Sequence, residues 1–113
     1  MNDKYERQMK KGVLDMLVLK LLSSESKYGY QIIRELKEKS EKTFQLKDGT
    51  LYPILYRLED DGLVVSKWST ASGKQTARKY YEITENGQAA LEEIQDVWKR
   101  ISDGISKIME EQA

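Results

Sequence analysis

Two residue types that carry much of enzyme chemistry are missing from this sequence: its 113 residues include no cysteine and no histidine. Without cysteine the chain has no disulfide, no thiolate nucleophile and no zinc-thiolate site. Without histidine it lacks the usual general base and metal ligand near neutral pH. It also lacks a glycine-rich phosphate-binding loop. These absences argue against an enzyme, and we expect neither a metal nor a cofactor.

The sequence also has no excess of charge of one sign and no long uninterrupted apolar run. Its 19 Lys and Arg balance 19 Asp and Glu, so net charge does not indicate a nucleic-acid ligand. Positive charge is nevertheless concentrated locally, because residues 62–81 contain four cations and no acid. The most apolar stretch is interrupted by Asp15 and Lys20, which argues against a signal peptide or membrane span. We therefore expect a single-domain cytoplasmic protein.

A buried helix is predicted near the N-terminus, after a polar segment, residues 1–8, that we expect to be unstructured. From residue 9 to residue 22, apolar side chains occur on nearly every side of a helix: Val13, Leu14, Met16, Leu17, Val18, Leu19, Leu21 and Leu22. A helix that is apolar all round must be buried all round. One small domain cannot easily cover both sides, so the pattern predicts a second subunit.

The most informative segment, residues 49–62, has two unlike faces when drawn as a helix. Apolar residues recur at i, i+3, i+4 and i+7 and form the face that packs on a core: Leu51, Ile54, Leu55 and Leu58. The opposite face carries small, aromatic and hydroxyl side chains instead of the usual Lys, Glu and Gln: Gly49, Tyr52, Pro53 and Tyr56, flanked by Thr50 and Arg57. This composition indicates a docking surface; the alternative is a core helix with chance surface aromatics.

The two ends of this helix are predicted as well. We expect Asp48 or Thr50 to cap its start and Gly62 to end it in the left-handed conformation. The acidic residues 59–61 repel phosphate, so only the N-terminal half of the helix can approach a polyanion.

The order of the remaining elements predicts a fold. Residues 23–26 are expected to cap a helix over residues 28–39, and residues 43–46 to form a short strand. Residues 63–68 and 79–83 are rich in strand formers and enclose a polar, basic loop, so they predict a hairpin. Helix, helix, short strand, helix and hairpin is the order of a winged helix-turn-helix.

The C-terminal segment predicts a long helix with one apolar seam. From Glu85 onward, apolar residues recur in steps of three and four, as in a coiled coil: Leu91, Ile94, Trp98, Ile101, Ile105 and Ile108. The pattern predicts a partner helix; the alternative is a helix that caps its own domain. The fold class is thus α+β, mainly α, with a winged helix-turn-helix domain over residues 9–83 and a dimerisation helix over residues 84–110. The predicted dimer contacts are Val13, Leu17, Leu91, Ile94, Ile101, Ile105 and Ile108.

Three blocks of sequence resemble the PadR family of bacterial transcriptional regulators. They are residues 28–33 (YGYQII), residues 49–63 (GTLYP running into RLEDDGL) and residues 78–87 (RKYY leading to ITENG). The resemblance spans about residues 9–110 and implies a homodimeric repressor. Such a repressor binds a partly palindromic double-stranded DNA operator and is released by a small planar aromatic effector. The single C-terminal helix resembles a short subfamily with multidrug-sensing members, which place a tryptophan at the dimer centre; Trp98 matches it.

The resemblance assigns roles to particular residues. Thr50, Tyr52, Pro53 and Tyr56 are expected to meet DNA, while Lys74, Gln75, Arg78 and Lys79 serve the hairpin loop. From the residues themselves, Tyr28 and Lys47 are expected to position the domain on phosphate, and Arg57 to reach a guanine if its flank of the helix turns inward. For the effector, Trp98 of the two subunits is expected to face its mate, with Met9, Asp15, Met16 and Ile101 around it.

Blander interpretations stay open beside these assignments. A charged loop is often only solvated surface, and an aromatic at a seam position is often core packing. A winged-helix module that binds another protein, without operator binding, is the alternative function.

Overall fold

The computed structural model describes residues 3–69 and 76–111, and it has the winged helix-turn-helix architecture that the sequence predicts. The described elements are α1 (Asp3–Lys10), α2 (Leu14–Leu22), β1 (Lys27–Tyr28), α3 (Gly29–Lys39), α4 (Asp48–Asp60), β2 (Val64–Trp68), β3 (Lys79–Ile83) and α5 (Glu85–Met109). The class is α+β, mainly α, as expected. None of the helices in the described part of the chain is both long and apolar enough to cross a membrane.

The core lies between α2, α3, α4 and the sheet. The four apolar residues predicted to face the core from α4 form a stripe and are all buried, which confirms the orientation predicted for this helix. The other buried apolar residues are Met16, Val18, Leu19, Leu22, Ile32, Leu36, Val64, Tyr81 and Leu91. Because the stripe faces inward, the aromatic and hydroxyl face of α4 is turned outward.

The sheet has three antiparallel strands in the order β1-β3-β2. The predicted hairpin is confirmed, with Val64 opposite Ile83 and Trp68 opposite Lys79. The strand predicted at residues 43–46 is wrong: this segment is not in the sheet, and Phe44 packs against the core. The outer edge of β3 is instead paired by residues 27–28, immediately before α3.

The N-terminal helix prediction needs two corrections. The segment expected to be unstructured is helical from Asp3, and the single helix expected from residue 9 is split into α1 and α2 by a turn at residues 11–13. In that turn the Val13 amide donates to the Lys10 carbonyl at 3.1 Å. The ammonium of Lys10 donates to the carbonyl of Thr43 and lies 5.3 Å from the Phe44 ring centroid. These contacts fasten α1 to the loop before α4.

The C-terminal end of α4 follows the prediction. Gly62 has φ of 75°, the left-handed conformation that glycine adopts most readily. The Leu63 amide donates to the Leu58 carbonyl at 2.9 Å, and the Gly62 amide donates to the Glu59 carbonyl at 3.0 Å. These are the two hydrogen bonds of a Schellman motif, which satisfies the last carbonyls of the helix.

The predicted N-terminal caps are wrong. Lys47 occupies the capping position of α4 and makes no side-chain cap, so neither Asp48 nor Thr50 serves there. The hydroxyl of Ser23 donates back to the Lys20 carbonyl of α2 at 2.6 Å instead of capping α3. Tyr28 stands at the start of α3, because the chain leaves β1 and enters the helix without an intervening loop.

Helix α5 begins on the domain and extends beyond it. Thr84 caps it, accepting a hydrogen bond from the Gly87 amide at 3.0 Å. Gly87 lies so close to the Leu63 carbonyl that a β-carbon has no room there. Leu91 is buried in the core, whereas residues 95–101 are all exposed. With 25 residues, α5 is about 37 Å long, so much of it lies away from its own domain.

Candidate nucleic-acid interface

A groove of about 640 Å³ runs between the start of α3, the outer face of α4 and the loop end of the hairpin. Ten residues line it, five of them tyrosines: Tyr28, Gly29, Tyr30, Tyr52, Tyr56, Trp68, Ala77, Arg78, Lys79 and Tyr81. We call it the tyrosine groove. Its lining combines flat rings with two cations and has no carboxylate, so its chemistry suits a planar or anionic surface.

The outer face of α4 forms one wall of this groove. Thr50, Pro53 and Tyr56 are exposed, as their place opposite the buried stripe requires. Tyr52 is half-buried: its ring packs against Gly29 at the start of α3 and stands 6.0 Å from the Tyr56 ring. The close fit at Gly29 fixes the direction of the Tyr52 side chain.

The hairpin supplies the positive charge. The guanidinium carbon of Arg78 lies 4.4 Å from the centroid of the Tyr28 ring, and Tyr28 in turn meets Tyr80 edge-on at 5.5 Å. The ammonium of Lys79 lies 5.8 Å from the Tyr56 ring and 5.6 Å from the Tyr81 ring. Aromatic faces attract cations, so these rings hold both charges at the groove without neutralising them.

Tyr81, which was not predicted as a site residue, lies beneath this wall. Its side chain is fully buried, and within the described part of the chain its hydroxyl has no hydrogen-bond partner. Burial, reinforced by Tyr56, Glu59 and Tyr52, raises the pKa of Tyr81 to about 12. The hydroxyl therefore stays protonated at physiological pH. The only sequence signal for it was a central aromatic in a predicted strand.

Several predicted DNA contacts are elsewhere. The guanidinium of Arg57 pairs with the carboxylate of Asp15 on α2, instead of pointing into the tyrosine groove. Lys47 is exposed beside the start of α4 and lines a different groove, next to α1. Lys74 and Gln75 lie outside the described residues.

The residues predicted to bind an effector are not all on one surface of the single chain. Met16 is only 7% exposed and belongs to the domain core. Met9 is exposed on α1, while Trp98 and Ile101 are 48% and 54% exposed on α5.

The predicted dimer contacts divide in the same way. Leu91 is buried in its own domain, and Val13, Leu17 and Ile94 pack partly against that core. Ile101, Ile105 and Ile108 are exposed on α5. The predicted seam therefore has a section that covers its own domain and a section that no other described residue covers.

A three-helix core with an aromatic outer helix beside a basic hairpin defines a winged helix-turn-helix protein of the transcription-regulator class. Residues 18–93 match the transcriptional regulator PadR-like family, and the chain belongs to this family. It is a transcriptional regulator and not an enzyme.

Two relatives and one solved structure match this chain over most of their own length. The chain is 35% identical over 102 residues to uncharacterized protein X of Lysinibacillus sphaericus, covering 88% of this chain and 91% of that one. It is 34% identical over 87 residues to transcriptional regulator Rv3488 of Mycobacterium tuberculosis, covering 77% of each. The crystal structure of a PadR family transcriptional regulator from Eggerthella lenta superposes with a TM-score of 0.85 at 34% identity, covering 97% of this chain and 93% of that one.

Proposed function

We propose that this regulator binds duplex DNA as a homodimer and represses transcription until a small planar aromatic molecule binds at the dimer interface. Residues 9–83 form the DNA-binding domain, and residues 84–110 the dimerisation helix. Each protomer places the N-terminal half of α4 in the major groove and its hairpin along the neighbouring phosphates. The two-fold symmetry of the dimer requires a partly palindromic operator.

One observation carries the DNA-binding proposal: the outer face of α4 and the cations of the hairpin line the same groove. Thr50 and Tyr56 on α4 are exposed and reach base edges, while Arg78 and Lys79 neutralise phosphate. The guanidinium of Arg78 lies over the ring of Tyr28, which holds it at the groove. The C-terminal turn of α4 is acidic and repels phosphate, so DNA is expected at the N-terminal half of the helix.

The dimer proposal depends on the exposed section of the α5 seam. Trp98, Ile101, Ile105 and Ile108 are 48% to 72% exposed in the single chain and recur at the spacing of a helix-packing seam. Burying each against a partner contributes roughly 1.5–3 kcal/mol before the costs of association. The seam thereby sets the distance between the two α4 helices, which must match half-sites about 34 Å apart.

Release by an effector follows from the same seam. In a symmetric dimer each Trp98 lies near the two-fold axis, with the exposed Met9 and Ile101 available as flexible walls. A planar ligand stacks on such a ring. It weakens operator binding only if it binds the DNA-free arrangement of the two domains more tightly than the DNA-bound one.

The DNA proposal is tested on the segment upstream of the protein's own gene, because regulators of this kind often control themselves. Footprinting locates the operator, and the dissociation constant is then measured at several salt concentrations. Arg78→Gln is expected to lower the slope of log K against log salt by about 0.9 per lost phosphate contact, twice that for a dimer. Lys20→Gln, an exposed cation on α2 outside the tyrosine groove, is the matched control. Binding to a protein partner, insensitive to salt and to Arg78→Gln, would support the protein-interaction alternative instead.

The dimer proposal is tested by sedimentation velocity. Ile105→Asp places a carboxylate in the seam and is expected to give monomers with little operator affinity. Ser106→Asp adds the same charge at the neighbouring exposed position, off the seam, and is expected to remain dimeric. A dimeric Ile105→Asp variant contradicts the proposed interface.

A further inference from the structure

A second groove, of about 730 Å³, lies between α1 and the start of α4. Its polar lining is mostly basic: Arg7, Lys10, Lys11 and Lys47 line it with Gln45 and Thr50, and Glu6 is the one acid among the described lining residues. We call it the basic groove. The predicted DNA contacts include Lys47 but none of the cations on or just after α1, where only Met9 was given a role, in the effector site.

One of these cations has a structural task. Lys10 forms an ion pair with Glu6 at 3.3 Å, donates to the Thr43 carbonyl and lies over the Phe44 ring. It thus neutralises the one acid in the lining and fixes α1 against the loop that precedes α4. Lys10 thereby helps to set the shape of the basic groove.

The other three cations are available. Arg7 is on α1, Lys11 is in the turn that follows it, and Lys47 immediately precedes α4; all three line the basic groove. All three are exposed, and none forms an ion pair among the described residues. Three positive charges that have no ion pair in the described part of the chain, gathered around one groove, make it complementary to a polyanion.

The basic groove is continuous with the surface that meets DNA in the proposed function. Thr50 lies on the outer face of α4 and also lines the basic groove, and Lys47 immediately precedes that helix. The tyrosine groove lies against Tyr52 and Tyr56 on the same helix. The start of α4 is thus bordered by cations on two sides, by the hairpin and by α1.

We propose that the basic groove binds the phosphate backbone of duplex DNA, on the side of α4 away from the hairpin. This inference depends on the proposed DNA binding and extends it: Arg7, Lys11 and Lys47 contact phosphates that flank the bases read by α4. The contact is independent of sequence and adds affinity, salt dependence and a longer protected segment.

The first test uses a labelled random-sequence duplex, because phosphate contacts do not need the operator. The double variant Arg7→Gln/Lys11→Gln retains Lys10 and its contacts. It is expected to weaken binding at least tenfold in dilute salt and to lower the salt slope by about 0.9 per contact, or by about 3.6 for the four contacts of a dimer. Lys20→Gln/Lys37→Gln removes the same charge from exposed positions outside the basic groove and is expected to change the slope little. Equal slopes for the two double variants overturn the inference.

The second test exploits the absence of cysteine, which makes a single introduced cysteine a unique attachment point. An iron–EDTA group on Arg7→Cys is expected to cut the DNA backbone just outside the segment cut from Thr76→Cys, at the hairpin. The same group on Lys37→Cys is expected to leave that DNA uncut. Cutting from Thr76→Cys without cutting from Arg7→Cys overturns the inference but keeps the proposed function. Absence of cutting from both, together with no binding by the wild-type chain, overturns both.

Discussion

The carboxylate of Asp15 accepts a hydrogen bond from the guanidinium of Arg57, which joins α2 to α4 across 42 residues of sequence. The sequence-based hypotheses gave these residues separate tasks: Asp15 in an effector site and Arg57 on a guanine. In the structure the two side chains form an ion pair with each other, and neither lines the tyrosine groove. The pair connects a helix expected at the dimer interface with the helix expected on DNA.

We predict a small coupling energy between Asp15 and Arg57. The two side chains are 35% and 53% exposed, so water and salt screen the attraction. A double-mutant cycle with Asp15→Asn and Arg57→Gln, measured by urea unfolding, should give about 0.2–1 kcal/mol. The coupling should shrink at high salt. Strictly additive effects of the two substitutions would show that the pair contributes nothing to stability.

The ion pair of Lys27 should contribute much more to the free energy of unfolding, because Lys27 is buried in β1 with only 2% of its surface exposed. Its ammonium is held by Glu35 at 3.2 Å and by the exposed Glu25, also at 3.2 Å. Glu35→Gln leaves the buried charge with one solvated partner and should cost about 3 kcal/mol of the free energy of unfolding. Lys39→Gln removes an exposed ammonium that also pairs with Glu35 and serves as the control, expected within about 0.5 kcal/mol of wild type.

The same carboxylate should make stability depend on acid. Burial alone would raise the pKa of Glu35, but hydrogen bonds from Lys27 and Gln31 outweigh it and lower the pKa below its ordinary value of 4.5. The contribution of Glu35 is therefore fully present above that value and is lost as the pH falls through the lower pKa of the folded state. Glu35→Gln should flatten the acid limb of the stability curve; an unchanged acid limb contradicts this assignment.

The sequence predicts those parts of the fold that depend on local repetition. The stripe of α4, the Gly62 stop and the hairpin follow from periods and turn chemistry within a few residues of each other. The two-residue strand β1 is too short to show the alternation of polar and apolar residues that predicts a strand. It is a strand because it pairs with the edge of β3. The split between α1 and α2 is accompanied by a hydrogen bond from Lys10 to the Thr43 carbonyl, 33 residues away, which no local pattern predicts.

The candidate site was predictable to the same degree. Tyr52, Tyr56, Arg78 and Lys79 were named beforehand, and the structure brings them to one groove. The Arg57–Asp15 pair and the basic groove were not foreseen, because both join side chains from distant parts of the chain. A pattern within one helix contains no information about which charge will stand opposite it.

Tyr81 should make stability depend on alkali. Its pKa is raised to about 12 in the folded protein, whereas an exposed tyrosine titrates near 10. Its contribution is therefore fully present below about pH 10 and is lost as the pH rises through the folded value. Tyr81→Phe should reduce the loss of stability over this range, measured by urea unfolding at each pH.

At neutral pH the same substitution should be neutral or stabilising by about 1 kcal/mol, because the buried hydroxyl has no partner among the described residues. Tyr80→Phe, in the neighbouring and partly exposed position, is the control. Destabilisation of Tyr81→Phe by more than Tyr80→Phe would show that the hydroxyl has a partner, such as an ordered water.

Gly29→Ala should disturb the tyrosine groove. A β-carbon at Gly29 would meet the hydroxyl of Tyr52 and lie 2.8 Å from its Cζ atom, so the ring must turn away. We expect a loss of about 1–3 kcal/mol, although alanine favours helix at this position. Gly49→Ala, which meets nothing within 4 Å at the start of α4, should instead be neutral or stabilising. Tyr52→Ala should relieve the strain, so that Gly29→Ala costs little in that background; an equal cost in both backgrounds contradicts the proposed clash.

Trp98 should report the binding of a planar effector, and its fluorescence can be isolated. The chain has two tryptophans, and Trp68 is 68% exposed in the hairpin, so Trp68→Phe leaves Trp98 as the only reporter. In this background a planar dye such as ethidium should quench the emission, because stacking on the ring is the proposed mode of binding. Adding Ile105→Asp should abolish the quenching, since a monomer has only half of the site, while Ser106→Asp should leave it unchanged. Quenching that persists in the monomer would show that a single chain binds the dye. It would contradict an effector site formed by the dimer interface.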